Sequence, residues 1–378
     1  MNGRVRHLRP LRIGIDARPL SYRLTGIGYY VKHLLDAMQA VDSPHRFFLI
    51  SNTGIDYRLF SDRWRKVEGG TARKLTSTLW VQTRVPLLAR RLRLDVFWSP
   101  RHHLPLLLPR SVGCVVTIHD IVHRRYPETM SRANLMVERL LMKASIRKAA
   151  TVITDAEATR IDLGRWYAVA PSRVRVIHPG VPPLPAIDAD DPPPLEKMPR
   201  KYILFVGTLD PRKNFEGLFS AFERIEPQRH GLHLVIVGGR GWKNRLFFQR
   251  LTHSPVRQNV LLTGYLDRRQ LAAVYHHALC LVLPSVYEGF GFPILEAMSA
   301  GTPVITSDVS SMPEVAGGAA LLVNPGDTAG IASAILSLLH DASLRRRLID
   351  AGRRRAAAFS WRHCALRTLQ TLEEAVVT

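Results

Sequence analysis

The most informative stretch of this 378-residue chain is Cys280-Leu-Val-Leu-Pro-Ser-Val-Tyr-Glu288-Gly-Phe-Gly-Phe-Pro-Ile-Leu-Glu296-Ala-Met-Ser-Ala-Gly301-Thr-Pro-Val-Ile-Thr306. Its first four residues are apolar and predict a buried strand. A glycine-rich turn follows, and Pro293 is favoured at the first position of a helix, which Gly301 then ends before the next strand. The stretch therefore predicts a strand, a turn, a helix and a second strand in direct succession.

A helix that begins just after a strand is suited to binding anions. The N–H groups and aligned peptide dipoles of its first turn favour phosphate, and glycine lets a ligand approach the backbone closely. Glu288 lies on the turn and Glu296 about one helical turn inside the helix, where carboxylates can accept hydrogen bonds from hydroxyl groups. Singly, each is an ordinary solvated acid; together, they indicate a site for a ligand with phosphate and hydroxyl groups.

Short apolar strands alternate with helical patterns along the rest of the chain. Apolar residues recur at helical spacing over residues 30–38 and 134–147. The predicted strands of the first half are Ile13–Asp16, Phe47–Ile50, Asp95–Trp98, Cys114–His119, Thr151–Thr154 and Val174–Ile177. Those of the second half are Tyr202–Val206, Leu232–Val237, Val260–Leu262, Cys280–Leu283, Pro303–Thr306 and Ala320–Val323. This alternation predicts an α/β fold with parallel sheets.

A proline-rich stretch separates the two halves. Residues 181–185 read Val-Pro-Pro-Leu-Pro, and residues 188–195 read Asp-Ala-Asp-Asp-Pro-Pro-Pro-Leu, a composition that fits neither helix nor sheet. We predict a first domain over residues 1–182, a linker over 183–199 and a second domain over 200–358. Ligands of open parallel sheets lie beyond the carboxyl ends of the strands, so we expect a cleft that both sheets face.

The charge balance is strongly basic. Lys and Arg total 53 against 31 Asp and Glu, which gives a net charge of +22. Such a field attracts nucleic acid, anionic lipid or phosphorylated substrates. The arginines are scattered and no nucleic-acid-binding module is recognisable, so we expect no nucleic-acid partner. No window approaches the ~20 apolar residues of a membrane helix, and the N-terminus lacks a signal-peptide pattern. We therefore expect a cytoplasmic protein.

Two basic amphipathic stretches leave a membrane question open. Residues 132–150 and 80–94 mix large apolar side chains with arginine and lysine. Such helices can lie on an anionic bilayer surface. The alternative is core packing with a solvated basic face. We keep both interpretations, the first of which places the protein peripherally at the inner face of the plasma membrane.

A basic pair follows the first strand of the second domain, in Val206-Gly-Thr208-Leu-Asp-Pro-Arg212-Lys213-Asn214. Alone, such a pair in a basic chain is usually a solvated surface. At the carboxyl end of a strand it faces the expected cleft, where Arg offers a bidentate fork and Lys a movable point charge to a diphosphate.

In these motifs the chain resembles the retaining nucleotide-sugar glycosyltransferases of family four. That family has the GT-B fold, in which two Rossmann-like domains face each other across a cleft. Glu288 and Glu296 match the family's E-x₇-E motif, and residues 207–214 match its G-x-x-x-x-R-K-N segment. Residues 306–315 and 322–325 continue the likeness. The resemblance implies that residues 359–378 form a helix that returns to the first domain.

The resemblance also implies roles in the second domain. Glu288 would contact hydroxyls of the donor sugar, and Glu296 those of the ribose. Lys213, with Arg212, would contact the donor phosphate and stabilise the departing charge. The remaining implied donor-binding residues of this domain are Phe290, Gly291 and Phe292, whose amides would hold the diphosphate, Thr208, which replaces an arginine found in many members, and Tyr265, beside the base.

Two segments of the first domain join the implied site. The loop Thr25-Gly-Ile-Gly28 resembles the glycine-rich loop beside the acceptor and the diphosphate. His119 ends a predicted strand and is similar to a histidine near the transferred sugar, although a lone histidine there is equally often structural. Asp120 would orient His119 or cap the next helix, and Thr154-Asp155 is interpreted mainly as a marker of the fold.

Several conclusions about chemistry follow from the resemblance. It implies retention at the anomeric carbon, and since no covalent nucleophile is obvious we expect front-face displacement. The Asp16-Ala-Arg-Pro19 and Thr25–Gly28 segments resemble bacterial O-antigen and polysaccharide mannosyltransferases, which favours GDP-mannose as donor and a saccharide or lipid-linked saccharide as acceptor. The alternatives are a UDP-sugar-dependent, glucosyl-type transferase and a non-catalytic basic binding protein.

We expect neither a metal nor a cofactor. No H-E-x-x-H or clustered Asp/His spacing occurs, and the D-x-D signature of metal-dependent transferases has no convincing instance. His276 and His277 are adjacent, so on a helix they point about 100° apart and make a poor metal pair. Cations and the helix dipole would substitute for a metal.

Overall fold

The chain was analysed as a computed structural model, which describes residues 9–22, 24, 26–69, 74–130, 132–187, 198–241 and 244–376. It divides into two compact units. Unit 1 comprises residues 1–124, 130–180 and 360–378, and unit 2 comprises residues 125–129 and 181–359. Of the predicted linker, residues 188–197 lie outside the described part of the chain.

The described elements alternate as the apolar pattern predicts. Up to residue 180 they are β1 Arg12–Asp16, α1 Gly26–Gln39, β2 Arg46–Ser51, β3 Trp64–Glu68, α2 Lys74–Arg91, β4 Val96–Ser99, β5 Gly113–Ile118, α3 Val122–Arg125, α4 Arg132–Lys148, β6 Thr151–Thr154, α5 Glu157–Tyr167 and β7 Val174–Val176. Beyond it they are β8 Tyr202–Val206, α6 Phe215–Arg224, β9 His233–Val237, α7 Arg245–His253, β10 Val260–Gly264, α8 Arg268–His277, β11 Cys280–Leu283, α9 Phe292–Ser299, β12 Val304–Ser307, α10 Met312–Ala316, β13 Leu321–Val323, α11 Thr328–His340, α12 Ala342–Ala357 and α13 Trp361–Glu374.

Unit 1 contains a parallel seven-stranded sheet in the order β3-β2-β1-β4-β5-β6-β7. Its central strands are apolar on both faces because a parallel sheet is covered on both sides; every residue of β5 is buried. The strand order reverses between β1 and β4. The carboxyl ends of these two strands form the switch point at which open α/β sheets bind ligands.

Unit 2 repeats this arrangement in a parallel six-stranded sheet of order β10-β9-β8-β11-β12-β13. Its switch point lies between β8 and β11. The loop after β8 carries the predicted basic pair, and the loop after β11 carries Glu288. The predicted α/β fold with two Rossmann-like parallel sheets is confirmed.

Three local predictions were wrong. Strand β3 was missed because it is an edge strand with the charged sequence Trp-Arg-Lys-Val-Glu, in which Trp64 alone is fully buried. Gly26 and Gly28 were expected in a loop, but they lie in the first turn of α1. Helix α9 begins at Phe292, one residue before the predicted Pro293, because Gly291 adopts φ +105° as its N-cap.

The C-terminal helix α13 packs against α1 within unit 1. The hydroxyl of Ser360 caps it by accepting a hydrogen bond from the His363 N–H, and the Trp361 ring lies 5.9 Å from the ring of Tyr30. Gly180 is required beside it, because a Cβ there would lie 2.3 Å from the Trp361 nitrogen. Among the helices of the described residues, none combines the length and the apolar character needed to cross a bilayer.

Candidate active site

The loop after β8 presents its two cations on a short capped turn. The carboxylate of Asp210 accepts a hydrogen bond from the Arg212 N–H and caps the turn Pro211–Lys213. Asn214 follows with φ +52°, and its side-chain amide donates to the carbonyl of Pro284, 3.0 Å away at the end of β11. The Arg212 carbonyl also accepts from the Val286 N–H at 2.9 Å. The two switch-point loops are therefore joined by one backbone hydrogen bond and by the side chain of Asn214.

Glu288 lies at the centre of a buried charge cluster. It is 5% exposed. Its Oε2 accepts from Arg212 Nη1 at 2.8 Å, and its Oε1 accepts from Lys213 Nζ at 2.5 Å and from Ser285 Oγ at 2.7 Å. The structure thus joins Glu288 to the basic pair Arg212-Lys213, which was predicted separately from it, and it adds Ser285.

The electrostatics of the cluster fix its charge state. Burial alone would raise the pKa of Glu288, but Lys213 and Arg212 outweigh it and hold that pKa at about 2. Burial, assisted by Arg212, lowers the pKa of Lys213 despite its carboxylate partner. Near neutral pH, Glu288 is an ionised acceptor and not a proton donor.

Two serines from another loop hold the glycine-rich turn in place. Ser310 and Ser311, which follow β12, both donate their hydroxyls to the Glu288 carbonyl, at 2.7 and 3.0 Å. Ser311 Oγ also lies 2.9 Å from the Phe290 carbonyl. Sequence reasoning missed this role because the serines were noticed only within a run resembling the family.

The glycine-rich turn leads directly into α9. Gly291, at φ +105°, is its N-cap, and no side chain caps the helix. The rings of Phe290 and Phe292 contact each other edge to face, with centroids 5.3 Å apart. The predicted diphosphate-binding residues therefore lie at the N-terminus of an eight-residue helix, where the peptide dipoles favour an anion.

Glu296 occupies a second buried site, inside α9. It is 7% exposed; its Oε2 accepts from the Tyr275 hydroxyl at 2.9 Å and its Oε1 from Arg268 Nη1 at 3.3 Å. Arg268 Nη2 also donates to the Pro183 carbonyl. Burial raises the pKa of Glu296 by more than Arg268 and Tyr275 lower it. The two glutamates of the motif thus occupy opposite electrostatic environments.

The loops after β8, β9 and β10 stack closely at the same edge of the sheet. Gly238 has φ +141°, and a Cβ there would lie 2.1 Å from the Gly207 carbonyl oxygen, so only glycine fits. Thr208 is exposed on the first loop. Tyr265 is 59% exposed, and its ring covers Gly239. The predicted phosphate-side and base-side residues are therefore accessible on neighbouring loops.

In unit 1, His119 is buried at the carboxyl end of β5, and both its ring nitrogens face acceptors. Nδ1 lies 2.6 Å from Asp155 Oδ2, and Nε2 lies 3.0 Å from the Pro100 carbonyl. A neutral ring can donate only one hydrogen bond, so this arrangement favours the imidazolium. Burial lowers the pKa of His119, but Asp155 and Pro100 outweigh burial and raise it above 6.5.

The alternatives for Asp120 are now resolved. Asp120 Oδ1 accepts from the Val122 N–H at 3.2 Å at the start of α3, so it caps that helix, and Asp155 orients His119. Asp155, interpreted from the sequence mainly as a fold marker, thus also holds the ring of His119. Gly28 is buried in α1, where a Cβ would lie 3.0 Å from Leu24; Thr25 lies outside the described residues.

Comparison with known proteins identifies the family. Residues 24–183 match the model for Glycosyltransferase Family 4, and residues 187–355 match the model for Glycosyl transferases group 1. The chain is a glycosyltransferase of this family. It is 29% identical to O-antigen chain mannosyltransferase B of Escherichia coli, over 95% of this chain and 98% of that protein. It is 30% identical to glycogen synthase of Mycobacterium tuberculosis (strain CDC 1551 / Oshkosh), over 69% of this chain and 63% of that protein.

The solved structures agree on the fold of the glycosyltransferase. Sucrose-phosphate synthase from Thermosynechococcus elongatus superposes with a TM-score of 0.73 and 23% identity, covering 96% of this chain and 98% of that one. At this identity the likeness concerns the GT-B fold alone. Within the described residues of the glycosyltransferase, no group of three or more His, Cys, Asp or Glu side chains is arranged to hold a metal ion.

Replacing Asp155 by Asn is expected to lower the pKa of His119 below 6.5, because burial then dominates. In the unchanged enzyme, the pKa of His119 is higher in the folded state than in the unfolded state, so protonated His119 stabilises the fold. This stabilisation is fully present below pH 6.5 and is lost as pH rises through the folded-state pKa. Histidine NMR over a pH series measures the shift. Asp120→Asn is the matched control and should move the pKa much less, because Asp120 is the smallest of the contributions that raise it. Equal shifts in both variants would contradict the assignment.

Proposed function

We propose that this glycosyltransferase moves a mannosyl group from GDP-mannose to a saccharide or lipid-linked saccharide, with retention, in the synthesis of a cell-surface polysaccharide or lipopolysaccharide. The end-to-end match to the E. coli O-antigen chain mannosyltransferase carries the proposal, since it spans 95% of this chain. The match to glycogen synthase spans 69%. A glucosyl donor is therefore the second candidate.

The charge cluster supports the proposed chemistry. The diphosphate of the donor would bind where Arg212 and Lys213 meet the N-terminus of α9. Glu288, ionised because its pKa is about 2, would accept hydrogen bonds from sugar hydroxyls, and Glu296 from the ribose. Entry of the diphosphate gives the two cations a more highly charged partner than Glu288 alone, so they can share their hydrogen bonds between carboxylate and phosphate.

The proposed step is a front-face displacement. The bond between mannose C1 and the β-phosphate oxygen breaks, and a bond from C1 to the acceptor oxygen forms on the same face. The proton of the acceptor hydroxyl passes to the departing phosphate oxygen, so atoms and charge balance. Lys213 and Arg212 stabilise the negative charge that grows on that phosphate, as fixed cations in a buried site do. In unit 1, the buried imidazolium of His119 adds a further positive charge, which Asp155 holds in place.

Two measurements test the donor assignment. Nucleoside diphosphates are titrated by calorimetry, and the rate at which the enzyme releases nucleotide from the corresponding nucleotide sugars is then measured with and without EDTA. We expect GDP to bind at least tenfold more tightly than UDP or ADP, and EDTA to leave the rate unchanged because cations replace a metal. Preference for UDP or ADP would replace mannose by a glucosyl-type donor. Loss of the rate in EDTA would contradict the metal-independent mechanism.

We further propose that the enzyme docks on an anionic membrane surface through α4. Of its large apolar residues, Met142 is buried in the core, but Met136 and Leu140 are 61% and 66% exposed. The basic residues exposed along the same helix are Arg132, Arg139, Lys143 and Arg147. Exposed apolar side chains among cations complement an anionic bilayer.

Replacing Met136 and Leu140 together by Ser should weaken flotation with anionic vesicles about tenfold, because two apolar side chains no longer enter the bilayer. Leu246→Ser is the matched control, since Leu246 is 77% exposed in α7 of unit 2. The control should float like the unchanged enzyme. Equal recovery of the unchanged enzyme with anionic and neutral vesicles would contradict electrostatic docking.

A further inference from the structure

The switch point of unit 1 contains a cation, Arg101, that forms no hydrogen bond or ion pair with any described residue. Arg101 lies two residues after β4, whose neighbour in the sheet is β1. Its side chain is partly exposed. No described residue forms a hydrogen bond or an ion pair with its guanidinium. Burial, and then the nearby charge of Arg18, lower the pKa of Arg101.

The nearest carboxylates are already occupied. Asp16 Oδ1 accepts from Arg18 Nε at 2.8 Å, and Asp16 Oδ2 accepts from Arg18 Nη2 at 2.6 Å. Arg18 Nη1 donates to Ser77, so this buried ion pair is complete. Glu138 Oε2 accepts from both His102 and His103, at 3.4 and 3.1 Å. The charges of both carboxylates favour the charged form of Arg101, but neither carboxylate forms a hydrogen bond with it.

The segment that carries Arg101 is fixed at both sides. The carbonyl of Pro100 binds His119 Nε2, and the carbonyl of Arg101 accepts from Ser99 Oγ at 2.8 Å. Beside it, His102 has its Nδ1 on Glu138, while its buried Nε2 has no partner among the described residues. The residue that follows Arg101 therefore has a buried polar atom whose hydrogen bonding a ligand could complete. The His102 ring lies 5.8 Å from the ring of His119.

A partly buried guanidinium that forms no hydrogen bond within the protein leaves its donors available to a ligand. Guanidinium forks match the oxygens of phosphate groups, and the site lies at a switch point. The corresponding switch point of unit 2 has its own cations, Arg212 and Lys213, for the donor. We infer that Arg101, with His102, binds a phosphate group of the acceptor substrate. This inference rests on the proposed function, and it narrows the acceptor class to phosphorylated saccharides or saccharides linked through a diphosphate.

Binding of phosphorylated probes to the full-length chain tests the inference. Three probes are titrated by calorimetry, with and without saturating GDP: a neutral alkyl mannoside, mannose 1-phosphate, and a short-chain alkyl diphosphate that carries one sugar. We expect both phosphorylated probes to bind at least tenfold more tightly than the neutral one. Tighter binding of the diphosphate assigns the site to a lipid-type carrier, and tighter binding of the monophosphate assigns it to a sugar phosphate.

Variants locate the effect at Arg101. Arg101→Gln should weaken binding of the phosphorylated probes about 10- to 100-fold, the value of a charged hydrogen-bonded pair, and Arg101→Lys should lie between. The matched control is Arg110→Gln, which removes an exposed arginine nine residues further along the same connection between β4 and β5 and should change nothing. Melting temperature serves as a second readout, because Arg101→Gln removes an unpaired charge and should not lower it.

Two outcomes would overturn the inference. One is unchanged affinity of Arg101→Gln for the phosphorylated probes, and the other is a loss that falls on GDP instead of them. Failure of this inference can be distinguished from failure of the donor assignment. If GDP does not bind, only the donor assignment is contradicted, because the titrations without nucleotide still measure the acceptor site.

Discussion

Lys213→Ala is expected to lower kcat by about 10²- to 10³-fold, the usual effect of removing one preorganised donor from a developing negative charge. The ammonium is 12% exposed and lies 2.5 Å from Glu288, so its position is set before the donor arrives. Because the charge on the leaving phosphate grows in the transition state, the loss should fall mainly on kcat and less on KM. Initial rates of nucleotide release at saturating donor measure it.

Lys201→Ala is the matched control for this prediction. Lys201 belongs to the same unit and is exposed, and among the described residues its ammonium donates only to the His230 carbonyl, at 3.3 Å. The substitution Lys201→Ala removes one positive charge from unit 2 and leaves the switch point unchanged. A kcat of Lys213→Ala within about threefold of the control would remove Lys213 from the catalytic machinery.

Glu288→Gln is expected to lower kcat/KM by at least 10²-fold and to destabilise unit 2 by about 3–5 kcal/mol, the cost of leaving buried charges uncompensated. The carboxylate is the partner of both Arg212 and Lys213. Its pKa of about 2 lies below its ordinary value of 4.5. The stabilisation is therefore fully present above about pH 5 and is lost as pH falls towards 2. Unfolding by urea at several pH values measures this difference.

Glu296→Gln provides the contrast, because burial raises the pKa of that carboxyl group. Ionisation of Glu296 therefore opposes folding above the unfolded-state pKa, and replacing it by the neutral glutamine should lower the free energy of unfolding by less than about 1 kcal/mol.

GDP should raise the melting temperature of Glu288→Gln more than that of the unchanged enzyme, since the diphosphate restores negative charge beside the cations. Equal stability of the two variants would contradict the described charge distribution.

Most of the fold could be predicted because buried parallel strands are apolar throughout. β11 and the start of α9 follow directly from four apolar residues, two glycines and a proline. β3 could not be predicted, since an edge strand needs no apolar face and its charges resemble a loop. The first turn of α1 could not be predicted because its two glycines, Gly26 and Gly28, have low helical propensity.

The candidate site was only partly predictable, for a different reason. Glu288 and Lys213 are 75 residues apart, and the motifs indicated each of them but not their ion pair. Asp155 and Arg101 were not recognised because their significance depends on which carboxylates and carbonyls already have partners. That information is a property of the folded arrangement, and neither residue type nor spacing encodes it locally.

The two hydroxyls of Ser310 and Ser311 that hold the glycine-rich turn have a thermodynamic consequence. A loop that is ordered before its ligand arrives loses little conformational entropy on binding, so donor association should be dominated by enthalpy and leave the backbone dynamics of residues 288–291 almost unchanged. Removing these hydroxyls would leave a turn that must become ordered each time a donor binds. We therefore expect Ser310 and Ser311 to influence donor binding through the order of the glycine-rich turn.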